Sequence, residues 1–240
     1  MTVIRRTGAV ACCGCLTPRA SGSGTDVEKS SAGGASNSAR SAASSGVCEP
    51  GSSLLAEVRA ATREAHERVE RQLDLERHAT VERYRAFVRA TCAVVRPLEA
   101  SLTGWLGPVF AAPEPGSRVD RLIADLSHLG ASPPADATGL LAARSMADAF
   151  GAAYVLQGSL LGGAVITRII RTRLGVEDDG TAYLRLYGDG LSRAWRQFVS
   201  ALDAFGTQRS DEERREVLTA AARTFDAFAA ALEREGLTTG

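Results

Sequence analysis

The chain has 240 residues, enough for one domain with additional material, and 45% of them are apolar, which suffices for a real core. Lysine plus arginine number 28 and aspartate plus glutamate number 28. That zero balance gives no electrostatic footprint for nucleic acid or an anionic membrane, and no run of 18 apolar residues suggests a membrane span.

Residues 1–51 are rich in Ser, Gly and Ala and show neither helical nor strand periodicity. Such a segment buries too little apolar surface to offset its ordering entropy, so a disordered tail is expected. The opening "VIRRTGAVACCGCL" carries two arginines before an apolar run that is short and broken by Gly14, a poor export segment. Cys12, Cys13, Cys15 and Cys48 fall in this tail, without the paired spacing of a zinc site. Cys92 alone remains for the folded part, so no internal disulfide can form there, and a reducing, cytoplasmic setting is expected.

A helical domain is expected over 52–240. Leu55, Val58, Thr62, Ala65, Val69 and Leu73 recur at spacings of three and four, which predicts a first helix with Ser52 or Ser53 as its cap. A second helix begins after Thr80 and meets Pro97, where a break or kink is expected. Ser117 caps "RVDRLIADLSHL". A long helix is predicted from Thr138 to Leu174, ended by Gly175. "TAYLRLYGDGLSRAWRQFVSALDAF" reads as helical with an interruption at "YGDG". Ser210 and Glu213 form a capping box that opens the last helix, which runs to about Glu235. No alternating strand pattern is seen, so the fold class is all-α, with about six to eight helices.

Three histidines are present. His78 reads as a loop residue and His128 as a helix-end residue that suits the dipole. Arg63 and Leu75, three residues before His66 and His78, are not the acids a carboxylate-bridged di-iron bundle needs. "HERVE" is not the H-E-x-x-H of a zinc protease. His66 differs. On an ideal helix it falls about 20° from Leu55 and Leu73, inside the apolar stripe. A ring so placed is either a core histidine held by hydrogen bonds or a metal ligand. Glu70, one turn on, is placed to accept from Nδ1–H and leave Nε2 for a metal. Arg59, two turns earlier on a similar face, is placed to meet a carboxylate.

"GAAYVLQGSLLGGAVI" puts four glycines into one predicted helix, each costing about 1 kcal/mol against alanine. Gly151, Gly158 and Gly162 fall within about 60° of one another, with Val155 among them and Ser159 and Gly163 beside them. A face so bare of side chains serves either close helix packing or a flat ligand lying on the backbone.

Here the chain resembles the haem oxygenases. "LAEVRAATREAHERVE" is similar to the first helix of that family, and "AFGAAYVLQGSLLGGAVI" to the distal helix of its bacterial, biliverdin-producing branch. "YGDGLSRAWRQF" resembles a later segment of the same branch, and the resemblance spans about residues 53–235. It implies a compact haem oxygenase-like helical domain that cleaves haem to biliverdin, carbon monoxide and ferrous iron with O2 and external electrons. It implies His66 as the iron ligand with Glu70 behind it, and Gly158 and Gly162 as glycines facing haem with Ser159 and Gly163 beside them. It places Arg59 near a propionate and offers Arg185 and Tyr187 as further propionate contacts. Where animal-type enzymes carry an aspartate after the first distal glycine, this chain has Ser159, and Gln157 stands where the bacterial pattern usually has glutamate. The implied partners are haem, a ferredoxin- or flavodoxin-type electron donor and a biliverdin-binding phytochrome as recipient. Three alternatives stay open: a haem carrier of the same fold, a thiaminase-like relative, and a helical interaction module that binds no haem.

Overall fold

The computed structural model describes residues 53–110, 117–135 and 142–238. The Ser/Gly/Ala-rich tail and its four cysteines lie outside the described residues. Within them the chain forms seven α-helices: α1 Leu54–Leu73, α2 Val81–Leu106, α3 Arg118–His128, α4 Met146–Leu161, α5 Gly163–Leu174, α6 Leu191–Thr207 and α7 Asp211–Arg234. The all-α expectation holds. No single described helix is long and apolar enough to cross a membrane.

Local chemistry sets most boundaries. Ser53 caps α1 by accepting from the Ala56 amide at 3.3 Å, and Thr80 caps α2 by accepting from the Arg83 amide at 3.1 Å. Arg83 then reaches back to the open end of α1, donating to the Gln72 and Leu73 carbonyls at 2.6 Å each. Those carbonyls have no intrahelical partner, so a cation there both pairs them and suits the dipole. Capping boxes open α3 (Ser117 with Asp120) and α7 (Ser210 with Glu213). Gly175, at φ 66°, ends α5 in the left-handed conformation that glycine adopts without a Cβ clash.

α4 lies at the centre. It is buried continuously from Ala147 to Gly158, as befits a helix that is apolar almost all round. α7 packs along α4 and also along α1, while α2 covers α3, α4 and α7. The core between them includes Val58, Tyr84, Leu98, Leu156, Phe198 and Val217.

Three expectations need correction. Of the break or kink expected at Pro97, the break does not occur: α2 runs through the proline as one helix. The proline removes one amide donor, but its flanks Val94, Val95, Leu98 and Leu102 are all buried, and that packing keeps the helix whole. The single helix expected over Thr138–Leu174 begins only at Met146, where Ser145 accepts from the Asp148 amide at 3.0 Å; Thr138 itself lies outside the described residues. It also breaks at Gly162, and α4 and α5 diverge by 41°. Thirdly, residues 181–187 form turns instead of helix. Asp125 of α3 accepts from the Ala182 and Tyr183 amides at 2.7 and 2.9 Å, and Tyr84 donates to the Gly180 carbonyl at 2.7 Å. These distant partners satisfy the Ala182 and Tyr183 amides and the Gly180 carbonyl, while Arg185 and Leu186 donate to carbonyls within the turns.

Candidate functional site

The apolar stripe of α1 turns His66 inward. Its Nε2 is buried and has no hydrogen-bond partner among the described residues. Phe225 of α7 meets the ring edge-on, with centroids 5.8 Å apart. Burial, opposed by the nearby Glu67 charge, lowers the imidazole pKa below its ordinary value. The ring is therefore neutral at pH 7, the form that ligates a metal. Glu70 Oε2 lies 3.7 Å from Nδ1, an ion-pair separation and too long for a hydrogen bond. Glu70 thus stands on the expected side of the ring without gripping it.

Arg59, seven residues earlier on the same face, also has a buried atom without a partner, its Nε. A buried donor left unpaired costs roughly 1–3 kcal/mol. Two such atoms on one helix face, an imidazole nitrogen and a guanidinium nitrogen, suit a ligand that carries both a metal and an anionic group.

The glycines divide by their surroundings. A Cβ on Gly151 would come within 2.3 Å of the Val217 carbonyl and 2.6 Å of Ala220 Cβ, so Gly151 exists to let α7 approach α4. A Cβ on Gly163 would lie 2.9 Å from the Leu184 carbonyl. That approach of the 184 backbone accounts for the glycine at the start of α5, next to the bend at Gly162. Gly158 and Gly162 are buried at the end of α4. Ser159, half-buried between them, donates to the Leu156 carbonyl at 2.9 Å and neighbours the Tyr183 hydroxyl. Burial pushes the Tyr183 phenol up to about 12, against the opposing pull of the Arg118 charge and of Ser159.

Behind the end of α4 lies a buried polar cluster that the sequence did not reveal. Gln157 Nε2 donates to the Tyr187 hydroxyl at 3.0 Å, and Arg118 donates to the same oxygen at 2.7 Å. Arg118 is 1% exposed, and its guanidinium stacks 3.7 Å from the Phe110 ring centroid. Glu99 lies 4.0 Å from it and accepts from the Arg118 and Val119 amides at 2.5 and 3.2 Å. Arg185, by contrast, is half-exposed and pairs with Asp178 at 2.5 Å. Arg185 and Tyr187 line a cavity to which α1 contributes no residue. The structure therefore brings His66, Glu70 and Arg59 together on α1 and groups Arg185 and Tyr187 elsewhere.

Two buried polar atoms without partners, His66 Nε2 and Arg59 Nε, lie two turns apart on one face of an all-α domain, an arrangement that a metal-centred, anionic ligand would satisfy. The chain matches the model of the family described as heme oxygenase over residues 52–234, and it belongs to that family. It is 30% identical over 176 residues to a protein named heme oxygenase PigA from Pseudomonas aeruginosa, covering 72% of this chain and 88% of that one. Its fold is similar to that of the NO- and CO-bound heme oxygenase from Neisseria meningitidis, with a TM-score of 0.63 and 22% identity. That likeness covers 78% of this chain and 94% of the other. The chain is a haem-degrading enzyme of the bacterial haem oxygenase family, with haem as its substrate.

Proposed function

We propose that His66 holds the haem iron through Nε2 and that the chain cleaves haem to biliverdin, carbon monoxide and ferrous iron with O2. The observation that carries this reading is the buried, unpartnered Nε2 of a neutral imidazole. Bound haem supplies both the iron that activates oxygen and the ring that is opened. The protein's own share is placement. Phe225 fixes the imidazole plane by its edge contact. Glu70 stabilises positive charge on Nδ1 as the ligand donates density to iron. Arg59 neutralises a propionate with the Nε that now has no partner. Gly158 and Gly162 let the ring plane lie close to the α4 backbone, and Ser159 supplies a hydroxyl beside it in place of a carboxylate. Electrons come from a ferredoxin- or flavodoxin-type donor, and a biliverdin-binding phytochrome is the recipient. The buried thiol of Cys92, with no disulfide among the described residues, is compatible with the cytoplasm.

The test is a haem titration of the full chain, followed in the same cuvette by a ferredoxin reducing system. A saturable Soret band that decays into broad red absorption is the expected result. A band that persists unchanged would leave a haem carrier. In His66→Ala, the iron–imidazole spectrum and turnover should both be lost, and an unchanged biliverdin yield would remove His66 from its role.

A further inference from the structure

The face of α4 and α5 turned away from Gly158 carries a separate cavity of about 450 Å³. Leu160 and Thr167 lie seven residues apart, on one face across the bend, and on an ideal helix Leu160 points about 160° away from Gly158. Leu184 and Leu191 close the apolar wall opposite, and Arg168, Arg171 and Arg185 stand at the rim.

Two observations mark it as a binding site and not a packing fault. The first is Thr167. It is 8% exposed, and its hydroxyl is buried with no partner. Five other helical threonines turn the hydroxyl back onto the carbonyl four residues earlier. Thr62, Thr91, Thr172, Thr219 and Thr224 all do so, at 2.7–2.9 Å. Thr167 lines the cavity and leaves that bond unmade. The second is charge. Asp178 is shared by Arg171 at 3.7 Å and Arg185 at 2.5 Å. Arg168 has no ionic partner among the described residues. Two of the three guanidiniums at the rim thus share one carboxylate and the third pairs with none among the described residues, leaving a positive excess over an apolar floor.

We infer that this cavity binds a small organic oxyanion, its carboxylate or phosphate held by Arg168 and Arg171 and its apolar body set against Leu160 and Leu184. The Thr167 hydroxyl donates to the anion or to a polar atom next to it. Guanidinium forks match oxyanions of either kind, and the apolar floor selects against a bare inorganic ion. The residues that hold the anion here, Thr167, Arg168 and Arg171, are none of those proposed to hold haem, and α1 contributes nothing to the cavity.

Calorimetric titration of the haem-free full chain with benzoate, phenyl phosphate and inorganic phosphate tests this. At least one organic probe should bind saturably at one site, about tenfold or more tighter than inorganic phosphate. Arg168→Gln combined with Arg171→Gln should weaken that binding by about tenfold or more, and Thr167→Val should weaken it severalfold. Both variants should keep the haem affinity of the wild type, which shows that they are folded. Absence of saturable binding by either organic probe would overturn the proposal. So would inorganic phosphate binding as tightly, or folded variants binding the probe like the wild type.

Discussion

The side-chain amide of Gln157 donates to the Tyr187 hydroxyl at 3.0 Å, one residue before Gly158. Arg118 donates to the same oxygen at 2.7 Å, and all three residues are buried. One phenolic oxygen thus ties α3, the end of α4 and the 181–187 turns together. Tyr187→Phe keeps the ring but takes the acceptor from two buried donors, one of them charged. Each buried donor left unpaired costs about 1–3 kcal/mol, so the variant should lose on the order of 3 kcal/mol. Urea denaturation of the haem-free protein measures it. A loss under about 0.5 kcal/mol would mean that Gln157 and Arg118 find other partners.

Gln157→Glu asks a different question of the same position. A carboxylate there would accept from the Tyr187 hydroxyl and add a negative charge beside buried Arg118, whose nearest acid, Glu99, is 4.0 Å away. An amide cannot release a proton near neutral pH, and an acid held among buried groups can. The variant should form biliverdin severalfold faster in a ferredoxin-driven assay, with haem affinity unchanged. Equal rates would show that residue 157 acts only as a strut for Tyr187.

The parts of this molecule that were legible in its sequence are those set by local rules. The stripe of α1, the caps at Ser117 and Ser210 and the glycine after α5 depend on neighbours within a turn or two. So does the inward aim of His66, which follows from its angular distance to Leu55 and Leu73. The illegible parts depend on partners far along the chain. Gly151 and Gly163 looked like members of one bare face, yet α7 presses on the first and the Leu184 backbone on the second. Residues 181–187 carry a helical pattern, but Asp125 takes two of their amides from 57 and 58 positions away. Arg118 reads as the first residue of a capped helix. Its burial is set by Phe110 and Tyr187, which no local pattern connects to it.

The division among the glycines is itself testable. A methyl group on Gly151 would collide with the Val217 backbone at 2.3 Å, and backbone cannot rotate aside as a side-chain end can. Gly151→Ala should therefore destabilise the fold by about 1–3 kcal/mol or more, the usual cost of overpacking, despite alanine's better helix propensity. Haem affinity of the folded fraction should stay the same. Denaturation and Soret titration of one preparation separate the two effects, and a loss of haem affinity without loss of stability would add Gly151 to the haem-facing glycines.

Asp125 gives a pH signature of the turn that holds Tyr187. The carboxyl is 1% exposed, and burial raises its pKa to about 6, although the Tyr183 and Ala182 amides and the charges of His128 and Arg121 pull the other way. The unfolded chain titrates this group near 3.9. Between those values the folded state binds more protons than the unfolded one, so this group's contribution to stability falls as pH rises from about 4 to about 6 and is flat above. The change is on the order of 2–3 kcal/mol. Asp125→Asn cannot titrate, and its amide nitrogen meets one of the two backbone donors without accepting from it. The stability of the wild type minus that of Asp125→Asn should therefore be larger at pH 4 than at pH 7. Taking that difference cancels the titration of every other group the two proteins share. A difference that grows toward pH 7 would mean that the two amide bonds outweigh burial and hold the Asp125 pKa below the ordinary carboxylate range.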